Sequence, residues 1–167
     1  ASPIVAATPV AAADGHSPTL SQHSPTDAET PFNQTAFVTL ADAGDGAVVA
    51  GGARGIERPN ATLARIEDGD PVWTAAVGGD GLGRVVDVAV TDAGEVYFLS
   101  AERPNASTYE TDLVLGHTTE DGGLVWREAL DETSSIASTA RIVASDDGVT
   151  VAHGVEGGVR LAEYASG

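Results

Sequence analysis

The tightest constraint on this chain is that it repeats itself. Glu67-Asp68-Gly69-Asp70-Pro71-Val72-Trp73 returns as Glu120-Asp121-Gly122-Gly123-Leu124-Val125-Trp126, so both stretches read E-D-G-x-x-V-W. A second string, Glu57-Arg58-Pro59-Asn60-Ala61-Thr62, returns as Glu102-Arg103-Pro104-Asn105-Ala106-Ser107. The offsets, 120 − 67 = 53 and 102 − 57 = 45, give a period near 50 residues. Periods of roughly 20–50 residues belong to solenoids, propellers and arrays, whose units bury their apolar faces against one another.

Within each period the local grammar is short β-branched runs separated by Gly/Asp turns, which predicts an all-β domain. The first unit is expected to hold strands near Ala36–Ala41, Ala47–Gly51, Thr62–Ile66 and Val72–Val77. The second is expected to hold Arg84–Thr91, Glu95–Ser100, Asp112–His117 and Leu124–Ala129, and the third Ser138–Ala144, Val149–Ala152 and Val159–Tyr164. Asp42-Ala43-Gly44, Asp92-Ala93-Gly94 and Asp146-Asp147-Gly148 precede the second strand of each unit and supply tight-turn chemistry. No segment carries a sustained 3.6-residue apolar stripe, so little helix is expected. Leu63 to Gly69 and Leu161 to Gly167 are both steps of 6, which sets Gly167 in a hairpin turn and predicts a further V-W strand after it. The divisions follow: a leader remnant or flexible linker over 1–35, then units over about 36–80, 81–133 and 134–167.

Four-stranded units of this length with a turn signature and a periodic aromatic fit β-propeller blades. The run Asp45-Gly46-Ala47-Val48-Val49-Ala50-Gly51, with Glu67 to Trp73 and Glu120 to Trp126, resembles the PQQ-like or WD40-like propeller repeats of secreted archaeal and bacterial proteins. The resemblance covers about residues 36–167. It implies a tandem of antiparallel blades, about two and three-quarters in number and short of a closed ring. Asp92-Ala93-Gly94-Glu95-Val96-Tyr97-Phe98-Leu99 departs from the pattern by lacking the closing Ala-Gly. Asp68, Gly69, Trp73, Asp121, Gly122 and Trp126 are its structural signature, with both indoles expected on outer strands covering the contact between neighbouring units.

Composition narrows the setting. The net charge is −17; all eight basic residues are Arg, and Lys is absent. With 42 % hydrophobic residues the chain has a core to build, so the acidity belongs on its surface. Such a surface repels polyanions, which argues against nucleic acid as a partner. Dense carboxylates without lysine resemble proteins of salt-loving archaea, where concentrated salt screens self-repulsion. Absence of Cys excludes disulfides, thiolate metal sites and a Cys nucleophile. No stretch approaches ~18 uninterrupted apolar residues, so no transmembrane segment is expected. The opening Ala1 to Asp14 reads either as the tail of a secretory leader, with small residues around Val10 to Ala13, or as a loose Ala/Pro-rich arm.

Candidate chemistry is sparse. Asn33, Asn60 and Asn105 head N-x-S/T sequons, the last two in Pro-containing segments that the repeat places at matching points. They are candidates for glycosylation or, equally, for Arg-Pro-Asn turns. Asp14, His16 and His23 have no trusted ligand spacing, and the acidic turns at Asp42–Gly46, Asp68–Asp70 and Asp146–Gly148 lack the spaced calcium loop. His117 and His153 lie in different units. No nucleophile elbow, phosphate loop or zinc-protease motif occurs, Gly78 to Gly83 reads as an inter-unit loop, and nothing fixes a cofactor. The reading is a secreted or cell-surface binding or scaffold segment, partnered by another protein or by further blades. The alternatives are part of a propeller enzyme (a quinone-cofactor dehydrogenase or a hydrolase) and a filament or surface-layer subunit completed by strand exchange. The unpaired edges of an open sheet favour such self-association.

Overall fold

Alternating apolar and polar residues, cut by Gly/Asp turns, should fold as hairpins. The computed structural model describes residues 34–103, 111–130, 139–145 and 147–165, and these form eleven β-strands with no α-helix. Strands β1 (Thr35–Asp42), β2 (Val48–Arg54), β3 (Asn60–Glu67) and β4 (Asp70–Ala76) pair in chain order as one antiparallel sheet. A second four-stranded sheet holds β5 (Leu82–Val90), β6 (Val96–Arg103), β7 (Asp112–Thr118) and β8 (Leu124–Ala129). The third is three-stranded, with β9 (Arg141–Ser145), β10 (Gly148–Val155) and β11 (Gly158–Ala165). Each of the eleven strands expected within residues 36–164 is present, its bounds within three residues of those expected. Strand β10, for example, runs to Val155 because Gly154 and Val155 still pair with Val159 and Gly158.

The sheets pack in succession. β5 lies against β1, β2 and β3, and β9 lies against β5 and β6. One core, between the first two sheets, gathers Val49, Leu63, Val85, Val88, Val96 and Phe98. The other joins Tyr97, Leu99, Leu113 and Leu115 to Ile142, Val149 and Val151 of the third sheet. Burying each large apolar side chain contributes about 1.5–3 kcal/mol. The second sheet is covered on both faces, so Val96-Tyr97-Phe98-Leu99 is buried without interruption. Outer strand β4 instead alternates exposed and half-buried residues along its whole length.

This packing also explains why the two units differ after their turns. Equivalent closing bonds, Ala43 N–H to Ala47 O and Thr91 N–H to Glu95 O, align Gly51 with Leu99. A Cβ on Gly51 would lie 2.5 Å from Val85 Cγ1, so that place must be a glycine where β5 comes close. Leu99 faces the third sheet instead and fills its core. The closing Gly is therefore a demand of one interface.

Identical strings also turn differently. Asp68-Gly69 is a two-residue hairpin, both residues at positive φ (51° and 89°), closed by the Glu67–Asp70 pair. In the second sheet Thr119 N–H donates to Gly123 O at 2.9 Å and Gly122 N–H to Thr119 O at 2.9 Å, which leaves Glu120, Asp121 and Gly122 in a longer loop. Gly122 takes the positive φ (83°) there and Asp121 does not. The sequence E-D-G marks the turn; its neighbours choose its type.

Candidate functional site

Three polar constructions occupy the seams between sheets. The first is the crossing from β4 to β5. Val77 N–H donates to Ala61 O at 2.9 Å, and the matching crossing after β8 begins with Leu130 N–H to Leu113 O at 2.8 Å. Asn60 Nδ2 donates to Gly79 O at 3.3 Å, and Gly79 N–H donates to Glu102 Oε2 at 3.2 Å. A Cβ on Gly78 would stand 2.5 Å from Asn60 Oδ1, so the Gly-rich string is what lets the loop lie this close. Glu102 is buried and also accepts from Ser100 Oγ at 2.7 Å and from Arg127 through an ion pair. Beside it lies a cleft of about 550 Å³ whose lining includes Gly79, Asp80, Glu102, Asp112, Arg127 and Glu128. Four carboxylates face one guanidinium there, so the cleft disfavours anions. Both Glu102 oxygens are engaged by donors, so the carboxylate holds the loop in place.

The second is a latch at the outer edge of the first and second sheets. Trp73 on β4 donates its indole N–H to Glu120 O at 2.8 Å, and its ring lies over Gly122, where a Cβ would meet the ring at 2.8 Å. Arg65 on β3 bridges Glu67 Oε1 at 2.9 Å and Glu120 Oε1 at 3.1 Å. These groups line a cleft of about 390 Å³ with Val72, Thr119 and Asp121. Asp121 accepts from Thr119 Oγ1, and this bond, with the Gly123 backbone N–H, holds its carboxyl below the ordinary value of 3.8. The second sheet repeats the row with other residues: His117 stacks on Tyr97 (centroids 4.6 Å apart, 12° between planes) and lies 6.0 Å from Trp126. Burial first, and the Glu95 carboxylate second, push the Tyr97 phenol above its ordinary range. His117 Nε2 is buried without a hydrogen bond and 3.7 Å from Glu95 Oε1. His153 is buried on β10, opposite Arg160.

The third lies on the inner strands. Asp87 on β5 accepts from Thr39 Oγ1 of β1 at 3.1 Å through one oxygen and from Ile142 N–H of β9 at 3.0 Å through the other. One carboxylate thus ties all three sheets. A β-bulge between Val85 and Asp87, matched by one between Phe37 and Thr39, sets both side chains in this seam.

The signature residues Asp68, Gly69, Trp73, Asp121, Gly122 and Trp126 all lie on or beside the β3–β4 and β7–β8 hairpins. Asn33 and Asn105, with Asp14, His16 and His23, lie outside the described residues. Asn60 opens β3 as a half-buried residue. Arg54 pairs with Asn60 and Glu102 with Asp112, so strand pairing gives Asp112 as the counterpart of Asn60. The E-R-P-N strings begin at different places in the fold: Glu57 sits in a loop while Glu102 lies within β6. Sequence reasoning missed Asp87, Glu102 and Arg127. The one available signal was polarity inside otherwise apolar strands, as in Val85-Val86-Asp87-Val88.

Among the described residues no three His, Asp or Glu come together to hold a metal, and no helix is long and apolar enough to cross a membrane. No protein-family model matches the chain, and no curated protein sequence matches it.

Proposed function

We propose that this chain is a non-catalytic binding or scaffold module, built of propeller-type blades and displayed by a secreted or cell-surface protein in a high-salt environment. The observation that carries this reading is the latch. The repeated motif spends its Trp and its turn on holding one sheet to the next: Trp73 grips Glu120 and Gly122. Glu102 and Asp87, the most heavily bonded carboxylates at the seams, are likewise engaged in joining segments. The consecutive stacking of meander sheets, inner strand against inner strand, supports the blade arrangement.

The net charge of −17 supports the high-salt setting. The screening length falls from about 10 Å at 0.1 M salt to about 3 Å at 1 M, which relieves repulsion among surface carboxylates. The test is to assay the intact protein in molar KCl against ester, glycoside and alcohol–quinone-dye substrates while following its fold by circular dichroism as salt is removed. A folded, salt-requiring protein without turnover is expected. Turnover lost on Glu102→Gln would overturn the non-catalytic reading, and a fold indifferent to salt would overturn the halophilic one.

A further inference from the structure

The second sheet sorts its charges by face. Glu102 and Asp112 are cross-strand partners and both line the cleft that holds Arg127. Strand alternation turns Arg103, the next residue on β6, to the opposite face. There Arg103 stands opposite Leu82 and Arg84 opposite Ala101, so the two arginines are diagonal neighbours near the start of β5. Both line a separate cleft of about 400 Å³, in which Ala53, Pro59, Leu82 and Ala101 supply apolar surface. A bond of 2.8 Å from Gly83 N–H to Pro59 O holds the β2–β3 loop against β5 at this place.

The two guanidinium groups are out of keeping with the rest of the chain. It carries 25 acidic residues, and Arg65 and Arg127 are both drawn into ion pairs. Among the described residues Arg84 and Arg103 make no hydrogen bond or ion pair, and no carboxylate lines their cleft. The nearest carboxylate in sequence, Glu102, is taken on the other face by Ser100, Arg127 and Gly79 N–H. Two like charges side by side without a counter-charge repel each other. One oxyanion between them would replace that repulsion with charge-assisted hydrogen bonds, for which the planar fork of Arg is shaped.

We infer that this cleft binds a small organic oxyanion, a carboxylate or a phosphate monoester. Arg84 and Arg103 hold its acid group, and its apolar body lies on Ala53, Pro59, Leu82 and Ala101. The net charge of −17 repels anions from the surface as a whole, which confines binding to the place where guanidinium groups stand unpaired. This inference goes beyond the scaffold reading and does not depend on it.

The experiment titrates the full chain, at the lowest salt that keeps it folded, with phenyl phosphate, benzoate, inorganic phosphate and benzyl alcohol. The side-chain NMR signals of Arg84 and Arg103 are expected to shift saturably with phenyl phosphate or benzoate, and the tighter of the two identifies the acid group. Arg84→Gln and Arg103→Gln, each checked for an unchanged far-ultraviolet spectrum, should weaken that binding at least about tenfold, since each loses a hydrogen bond between charged groups. Arg160→Gln removes the same charge from β11, outside the cleft, and should leave binding unchanged. Inorganic phosphate should bind more weakly than phenyl phosphate, because it has no body for the apolar residues to cover. Absence of a saturable shift, or an equal loss in all three variants, would overturn the inference. Benzyl alcohol binding as tightly as benzoate, or inorganic phosphate as tightly as phenyl phosphate, would overturn it too.

Discussion

At the scale of single residues, equivalent glycines do different work. Gly69 and Gly122 both sit at positive φ, but nothing lies within 4 Å of a Cβ at Gly69, while at Gly122 it would strike the Trp73 ring. Gly69→Ala therefore meets only left-handed backbone strain, about 1–2 kcal/mol. Gly122→Ala adds steric displacement of the indole, about 1–3 kcal/mol more. Urea unfolding of the two variants side by side should give that order. Asp121, in the same turn, offers a pH measurement. Its folded-state carboxyl titrates below its ordinary value of 3.8, so its contribution to stability is complete above that value. It drains away as pH falls through the lower, folded-state midpoint. Carboxylate NMR shifts should place the midpoint below 3.8, and Thr119→Val should move it up towards the ordinary value by removing the main hydrogen bond.

At the scale of elements, the latch shows how hairpins of one sheet hold hairpins of another. The longer β7–β8 loop turns the Glu120 carbonyl to the indole of β4, which the shorter β3–β4 turn does not do for its own Glu67, paired within the strand ladder. Trp73→Phe keeps the ring contact and loses one hydrogen bond, and should cost about 1 kcal/mol. Arg65→Met removes two exposed ion pairs and should cost about 0–1 kcal/mol. If chemical denaturation ranks Arg65 above Trp73, charge and not the indole is the principal tie. The existence of these hairpins was legible from the repeated string. Their turn types were not, because one residue of loop length is decided by which bulge and closing pair the strands adopt.

At the scale of the whole molecule, Asp87 is the point at which three sheets become one stack. Asp87→Ala leaves Ile142 N–H and Thr39 Oγ1 without their shared acceptor and should destabilise the fold by about 1–3 kcal/mol. Thr39→Val loses only one arm and should cost less. Calorimetry should show both as a lowered transition, and Asp87→Ala should weaken the packing of β9 as well, read as faster amide exchange at Ile142. An unchanged Ile142 would mean that its amide does not depend on the carboxylate.

The sequence by itself determined the all-β class, the place of each described strand, the up-and-down order within sheets and the sites of the turns. These are local properties: period-two alternation selects which side chains face a core, and Gly/Asp pairs supply positive φ where the chain reverses. The tertiary structure alone decided which repeated residues correspond, setting Asn60 against Asp112 and separating Glu57 from Glu102. It also chose which polar groups became seams and which apolar groups stayed uncovered. Asp87 and Glu102 meet donors from distant parts of the chain, while Leu40 and Leu161 are exposed. Local pattern carries no information about partners some fifty residues away, and in this fold those partners assign each side chain its role.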